Sequence, residues 1–143
     1  MKQFEKNAKA YQRVREKITY PESLYEYLNS NIIKDDSRTY TALDIGCGNG
    51  VSTVRLTPYF EKVIGSDLGE MLIDQARLNY SDIEFHCIPS EEIELEDTFD
   101  LITSATSFYW MDRETVLKRL VKKCLQVEYS AHINMIFQLF MGH

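Results

Sequence analysis

The side chains and backbone best placed to do chemistry lie between residues 42 and 50, Ala-Leu-Asp-Ile-Gly-Cys-Gly-Asn-Gly. An apolar run ends there in glycines at every second position: Gly46, Gly48 and Gly50. The run reads as a buried strand and the glycines as the turn leaving it. Glycine admits positive φ and lets a ligand reach the backbone without meeting a Cβ. The helix-like segment Val51 to Leu56 follows at once, so strand, glycine turn and helix stand in the order of a nucleotide cradle. Spacing excludes two cradles. A dinucleotide fingerprint, G-x-G-x-x-G, needs a third glycine where the chain has Val51, and the Gly-Lys-Ser/Thr triplet of a P-loop is absent. A tight strand-to-helix turn without any ligand would use the same three glycines, so neighbouring segments must decide.

Lys62-Val-Ile-Gly-Ser-Asp67 reads as a second strand ending in a carboxylate. In a βαβ unit that acid stands at the carboxyl end of the neighbouring strand, within reach of ribose hydroxyls. It could equally cap the following helix, expected over Gly69 to Leu78. Ile83 to Glu92 begins as a third strand and ends in Ser90 and Glu91. Phe99 to Ser104 gives a fourth, leading into Ala105-Thr-Ser-Phe-Tyr-Trp-Met-Asp112.

In this order the G-x-G-x-G turn after Asp44, Val-Ile-Gly-Ser-Asp-Leu, Ser-Glu-Glu-Ile and Phe-Asp-Leu-Ile…Phe-Tyr-Trp resemble the motifs of class I S-adenosylmethionine-dependent methyltransferases. The resemblance is closest to the small-molecule, trans-aconitate methyltransferase-like type and covers residues 40 to 112. It implies an α/β fold: a Rossmann-like, doubly wound, mostly parallel sheet of strand order 3-2-1-4, room for a fifth strand, and an N-terminal helical lid. It implies S-adenosyl-L-methionine as cofactor and a small-molecule acceptor. By resemblance, Asp44, Gly46, Gly48 and Gly50 surround the amino-acid part of the cofactor and Asp67 takes the ribose. Ser90 and Glu91 lie near the adenine, and Leu68, Ser104 and Tyr11 are further cofactor contacts. Tyr20, Tyr109 and Trp110 are candidates for touching the acceptor or the sulfonium. An aromatic face there would stabilise the cation by about 0.5–2 kcal/mol; the same rings could simply pack under the lid. One departure stands out: Pro89 occupies a position where the family carries an acid. No residue has the marks of a general base, so catalytic residues are unassigned, and an acceptor that is already ionised, such as a carboxylate, would need none.

The elements that must hold these residues are legible as patterns. Phe4, Ala8, Tyr11, Val14 and Ile18 share one helical face, and a second helix begins near Thr19-Tyr-Pro-Glu22, which reads as a capping box with Pro21 in the first turn. Its inner stripe is Leu24, Tyr25, Leu28 and Ile32. Lys34 to Arg38 is a polar connector, and the acidic run Glu91 to Asp100 reads as a wet loop. Arg113, Lys118, Arg119, Lys122 and Lys123 alternate with Val116, Leu117, Leu120, Val121 and Leu125, which predicts an amphipathic helix with a solvated basic face. With 143 residues and 44% hydrophobic content, we expect a single domain over 1–143, with 1–33 as lid and 40–125 as cofactor-binding core.

The formal charge of −6 argues against a nucleic-acid partner. No apolar run has the length of a membrane span, and the amino-terminal residues lack the apolar core of a signal sequence. Cys47, Cys87 and Cys124 are odd in number and lack the paired spacing of a metal site. Buried reduced thiols, no metal and a cytoplasmic location are the expectation, with His86 a strand residue.

Beyond residue 125 the resemblance stops, and no glycine lies between Gly69 and Gly142 to make the next expected turn. A shifted frame, a truncated gene or a genuine short variant would each give this pattern. The apolar segment Ile133 to Phe140 could supply the fifth strand, pack as a helix, or pair with a second copy to form a homo-oligomer through the sheet edge. The alternative function is accordingly a cofactor-binding remnant or interaction module without catalysis. A nicotinamide dehydrogenase is disfavoured by Val51.

Overall fold

The computed structural model describes residues 20–32, 34–105 and 111–124, apart from the side chains of Val121 and Cys124. Four short apolar runs become strands: β1 (Thr41–Ile45), β2 (Lys62–Asp67), β3 (Glu84–Cys87) and β4 (Leu101–Thr103). They form one sheet in the order β3-β2-β1-β4, every pairing parallel. Ala42 lies opposite Val63 and Leu101, and Leu43 opposite Ile64 and Ile102. This is the Rossmann-like strand order that the motifs imply. Crossovers between parallel strands put helices on both faces. The helices are α1 (Glu22–Ser30), α2 (Glu70–Asn79) and α3 (Arg113–Cys124).

Because side chains alternate along a strand, each register row belongs to one face. Ala42, Val63 and Leu101 face α1, packing with Tyr25, Leu28, Tyr40, Leu56 and Phe60. Leu43, Ile45, Ile64 and Ile102 face α3, packing with Val116, Leu120, Ile93 and Phe99. A third cluster, Cys47, Ile73, Ala76 and Phe85, joins α2 to β3 beneath the glycine turn. The central strand β1 is buried on both sides from Ala42 to Ile45, so apolar residues run through it without polar alternation.

Several local expectations are corrected. Val51 to Leu56 is not an α-helix: after two turn residues, only a 3-10 turn forms over Thr53–Leu56. Val51, Thr53 and Val54 are β-branched, and Pro58 has no N–H with which to continue the ladder. The capping box also fails. Pro21 is extended (φ −63, ψ 144) at the cap of α1, one residue before the helix, and no side chain caps it. Glu22 instead meets the Arg55 guanidinium and the Tyr59 hydroxyl, tying α1 to the end of the 3-10 turn. The acidic run is only partly wet, since Ile93 and Phe99 are buried. Asp100 accepts from Arg38 at 2.6 Å and from the Thr41 N–H at 2.9 Å, clamping the starts of β4 and β1 together.

The expected helices follow with small shifts of boundary: Glu70–Asn79 for Gly69 to Leu78, and Arg113–Cys124 for the basic amphipathic segment. His86 lies in β3 as expected, but Cys87 next to it, expected to be buried, is exposed because it stands at the end of the outermost strand; Cys47 is buried. The helix expected before residue 19 and the strand expected at 133–140 fall outside the described residues. Among the described residues, no helix is long and apolar enough to cross a membrane.

Candidate functional site

The glycine turn lies at the carboxyl end of β1, whose neighbours are β2 on one side and β4 on the other. That is a topological switch point, where an open parallel sheet leaves a crevice for ligands. Gly46, Gly48 and Gly50 have φ of 64°, 56° and 87°, left-handed values that side chains beyond glycine adopt only with strain. Three backbone bonds hold the turn: Cys47 N–H to Ser66 O (2.9 Å), Gly50 N–H to Cys47 O (3.1 Å) and Val54 N–H to Gly50 O (3.0 Å). The Phe85 ring supports it from below. A Cβ at Gly50 would lie 2.9 Å from the Phe85 Cζ, and one at Gly65 only 2.6 Å from its Cδ1.

Two carboxylates serve the turn in different ways. Asp44 is 1% exposed and accepts from three hydroxyls: Ser52 (2.9 Å) and Thr53 (2.8 Å) through Oδ2, and Thr103 (2.9 Å) through Oδ1. It locks the turn to the 3-10 segment and to β4. Asp67, half-buried at the end of β2, accepts from the Gly48 N–H through Oδ2 and from the Gly69 N–H through Oδ1, both at 2.8 Å. Each carboxylate oxygen carries two acceptor sites, so these bonds aim the group without exhausting it. Leu68, beside it, leaves its apolar side chain 45% exposed.

The remaining expected residues separate. Ser104 is buried just past β4, one residue after the Thr103 that holds Asp44. Ser90 is buried in the 3-10 turn Ser90–Glu92. Glu91 reaches α3: its Oε1 accepts from the Asp112 N–H at 2.8 Å, at the start of that helix. Asp112 in turn accepts from the Thr115 hydroxyl (2.9 Å), and hydrogen bonds from Thr115 hold its carboxyl below the usual range. Tyr20 packs against the cluster on the α1 face. Tyr11, Tyr109 and Trp110, with Phe108, lie outside the described residues.

Sequence reasoning missed the hydroxyl partners of Asp44, and it missed Asn49. That side chain is 1% exposed, and neither its Nδ2 nor its Oδ1 has a hydrogen-bond partner. An asparagine between glycines reads simply as a turn residue, which is why no signal marked it. The neighbouring Cys47 thiol is pushed well up by burial, with the charges of Asp44 and Asp67 acting in the same direction. It is therefore an inert, protonated packing group.

A doubly wound parallel sheet, a left-handed glycine turn at its switch point and an acid on the adjacent strand define the class of Rossmann-like cofactor-binding domains. Residues 42–127 match the family described as "Methyltransferase domain", and the chain belongs to that family. The chain is 31% identical over 115 residues to the malonyl-(acyl-carrier protein) O-methyltransferase of Bacillus cereus, a match covering 77% of this chain and 41% of that protein. To the enzyme of the same name from Acetivibrio thermocellus it is 32% identical over 116 residues, covering 76% and 39%. Among solved structures, a TehB-like SAM-dependent methyltransferase from Corynebacterium glutamicum superposes with a TM-score of 0.61 at 26% identity, covering 78% of this chain and 63% of that one. The chain thus spans about two fifths of the length of these curated relatives.

Proposed function

We propose that this chain binds S-adenosyl-L-methionine and serves a methyl transfer to a small-molecule acceptor. The observation that carries the reading is the union of the left-handed turn Gly46–Gly50 with Asp67, whose carboxylate is fixed 2.8 Å from the Gly48 N–H. The residues present fit the cofactor. Gly46, half-buried at the end of β1, leaves the mouth of the turn without a Cβ, and Asp67 offers acceptor sites at the neighbouring strand end, where a ribose diol would donate. Leu68 supplies exposed apolar surface for a flat, weakly polar base. Ser104 stands at the end of β4, on the other flank of β1. When bound, the cofactor supplies a sulfonium-activated methyl group, an electrophile that needs no covalent help from the protein.

What the residues must then do is orient and exclude. Holding reactants in line at near-attack distance can contribute roughly 7–11 kcal/mol. Asp44 serves this end indirectly, by making the turn rigid through Ser52, Thr53 and Thr103. Names of the relatives point to an oxygen of a malonyl group as acceptor in those proteins. An acceptor that is already an oxyanion suits this chain too, because none of the residues assigned to the site is a candidate base. We assign Asp67 to the ribose and leave Glu91 out of adenine recognition, given its bond to the start of α3.

Isothermal titration with S-adenosylmethionine tests the reading. We expect saturable binding that weakens at least about tenfold in Asp67→Ala, the order of one hydrogen bond to a charged group. A folded parent that shows no binding heat at any accessible concentration refutes it.

A further inference from the structure

The 3-10 segment Thr53–Leu56 holds one side of the glycine turn. The Ser52 and Thr53 hydroxyls donate to Asp44, and the Val54 N–H donates to Gly50 O at 3.0 Å. Yet the segment is a single turn of a helix type with poor hydrogen-bond geometry, and two of its four residues are β-branched. Its orientation must be fixed from outside. On the inner side Leu56, with Phe60 beyond it, packs against Tyr25 and Leu28 of α1. On the outer side it meets a single carboxylate. Glu22, the first residue of α1, accepts from the Arg55 guanidinium through Oε2 and from the Tyr59 hydroxyl through Oε1. Both oxygens are engaged by residues four positions apart, which fixes a direction as well as a distance. The Arg55 guanidinium carbon also lies 5.4 Å from the centre of the Tyr25 ring.

We propose that Glu22 is a positioning residue for cofactor binding, acting through the 3-10 segment on the Gly46–Gly50 turn. This inference rests on the cofactor reading above and extends it to a residue of α1. The path is continuous: from Glu22 to Arg55, along the segment to Thr53 and Val54, and from these to Asp44 and Gly50. A turn held less firmly on one side samples more conformations, and a ligand that needs one of them must freeze out the rest. The ion pair adds little to the stability of the whole chain. The Glu22 and Arg55 side chains are 49% and 39% exposed, a setting in which such pairs contribute little. The Tyr59 hydroxyl, its pKa pushed up to about 12 chiefly by the bond to Glu22, stays a donor throughout the neutral range. Loss of Glu22 is therefore felt at the turn and hardly at global unfolding.

The test titrates Glu22→Ala with S-adenosylhomocysteine and follows hydrogen exchange in the ligand-free protein. We expect binding about fivefold weaker, at the lower end of coupling between sites, and a thermal midpoint within about 3 °C of the parent. Exchange at the Gly50 and Val54 N–H groups should be faster. Glu22→Gln, which keeps one carbonyl acceptor, should fall between the parent and Glu22→Ala. Tyr59→Phe should weaken binding by less, and should change nothing further once Glu22 is gone. Asp97→Ala removes a carboxylate paired with Lys62 at 2.7 Å, at the other end of β2 from Asp67, and should leave affinity unchanged. Unaltered affinity in Glu22→Ala, an equal loss in Asp97→Ala, or unaltered exchange at Gly50 and Val54 would overturn the assignment. So would a midpoint that drops in step with affinity across the Ala and Gln variants, which would assign Glu22 to stability alone. A parent that binds no S-adenosylhomocysteine overturns the cofactor reading and the role of Glu22 with it, whereas a parent and variant that bind equally overturn only the role of Glu22.

Discussion

Gly65→Ala puts a methyl group where the Phe85 ring already stands. The two residues face each other directly across β2 and β3. The new Cβ would sit 2.6 and 2.7 Å from the ring's Cδ1 and Cε1, and 3.0 Å from the Cys47 Sγ. Carbon atoms at their optimal separation are about 3.5–4.0 Å apart, so the ring must withdraw by roughly 1 Å. It has little room to do so: Phe85 is 5% exposed, and its Cζ already fills the space beside Gly50. Overpacking of this kind costs about 1–3 kcal/mol, and we expect about 2 kcal/mol here. Phe85→Leu alone should cost about 1–2 kcal/mol through the cavity it leaves. If the ring is the obstacle, the double variant loses at least about 1 kcal/mol less than the sum of the singles. Urea unfolding followed by circular dichroism measures all four corners of the cycle. Additivity within about 0.5 kcal/mol would refute the contact as the cause.

Three further outcomes follow from side chains already placed. Native-state thiol labelling with peptide mass spectrometry should modify exposed Cys87 and spare buried Cys47 until denaturant is added. Because burial holds the Cys47 proton more tightly in the folded chain, unfolding releases it above the ordinary thiol range. Stability must then fall as pH rises into that range, and Cys47→Ala should flatten the alkaline slope measured by denaturation at several pH values. Glu91→Ala should lower stability only slightly, because water can replace the carboxylate at the exposed Asp112 N–H, and should leave 5′-methylthioadenosine affinity unchanged. A selective loss of nucleoside binding would return Glu91 to the adenine.

The sheet was legible because its strands contain short apolar runs, two of them punctuated by Gly46 and Asp67. Strand order came from motif order rather than periodicity, since four parallel strands look alike in sequence. What misled was local. Thr19-Tyr-Pro-Glu22 has the spacing of a capping box, yet Glu22 is drawn to Arg55 and Tyr59, residues brought near only by the fold. Glu91 sits where the resemblance places an adenine contact, but a backbone N–H twenty-one positions on captures it. Asp44 reads as a residue near the ligand, and nothing in the sequence marks the three hydroxyl partners through which it also anchors the turn. Tertiary hydrogen bonds leave no trace in one sequence, so none of these bonds of Glu22, Glu91 and Asp44 could be read there.

The anchoring of Asp44 also sets the order in which the protein can be built. Ser52 and Thr53 lie 8 and 9 positions downstream of it, but Thr103 lies 59 downstream. A chain emerging from the ribosome can pair β1 with β2 and β2 with β3 well before β4 exists. Until then β1 shows an open, apolar flank, and the longest loop closure in the sheet is still owed. The third anchor of the turn is thus made only when the fourth strand docks. Formation of the Thr103 bond therefore reports that β4 has joined β1.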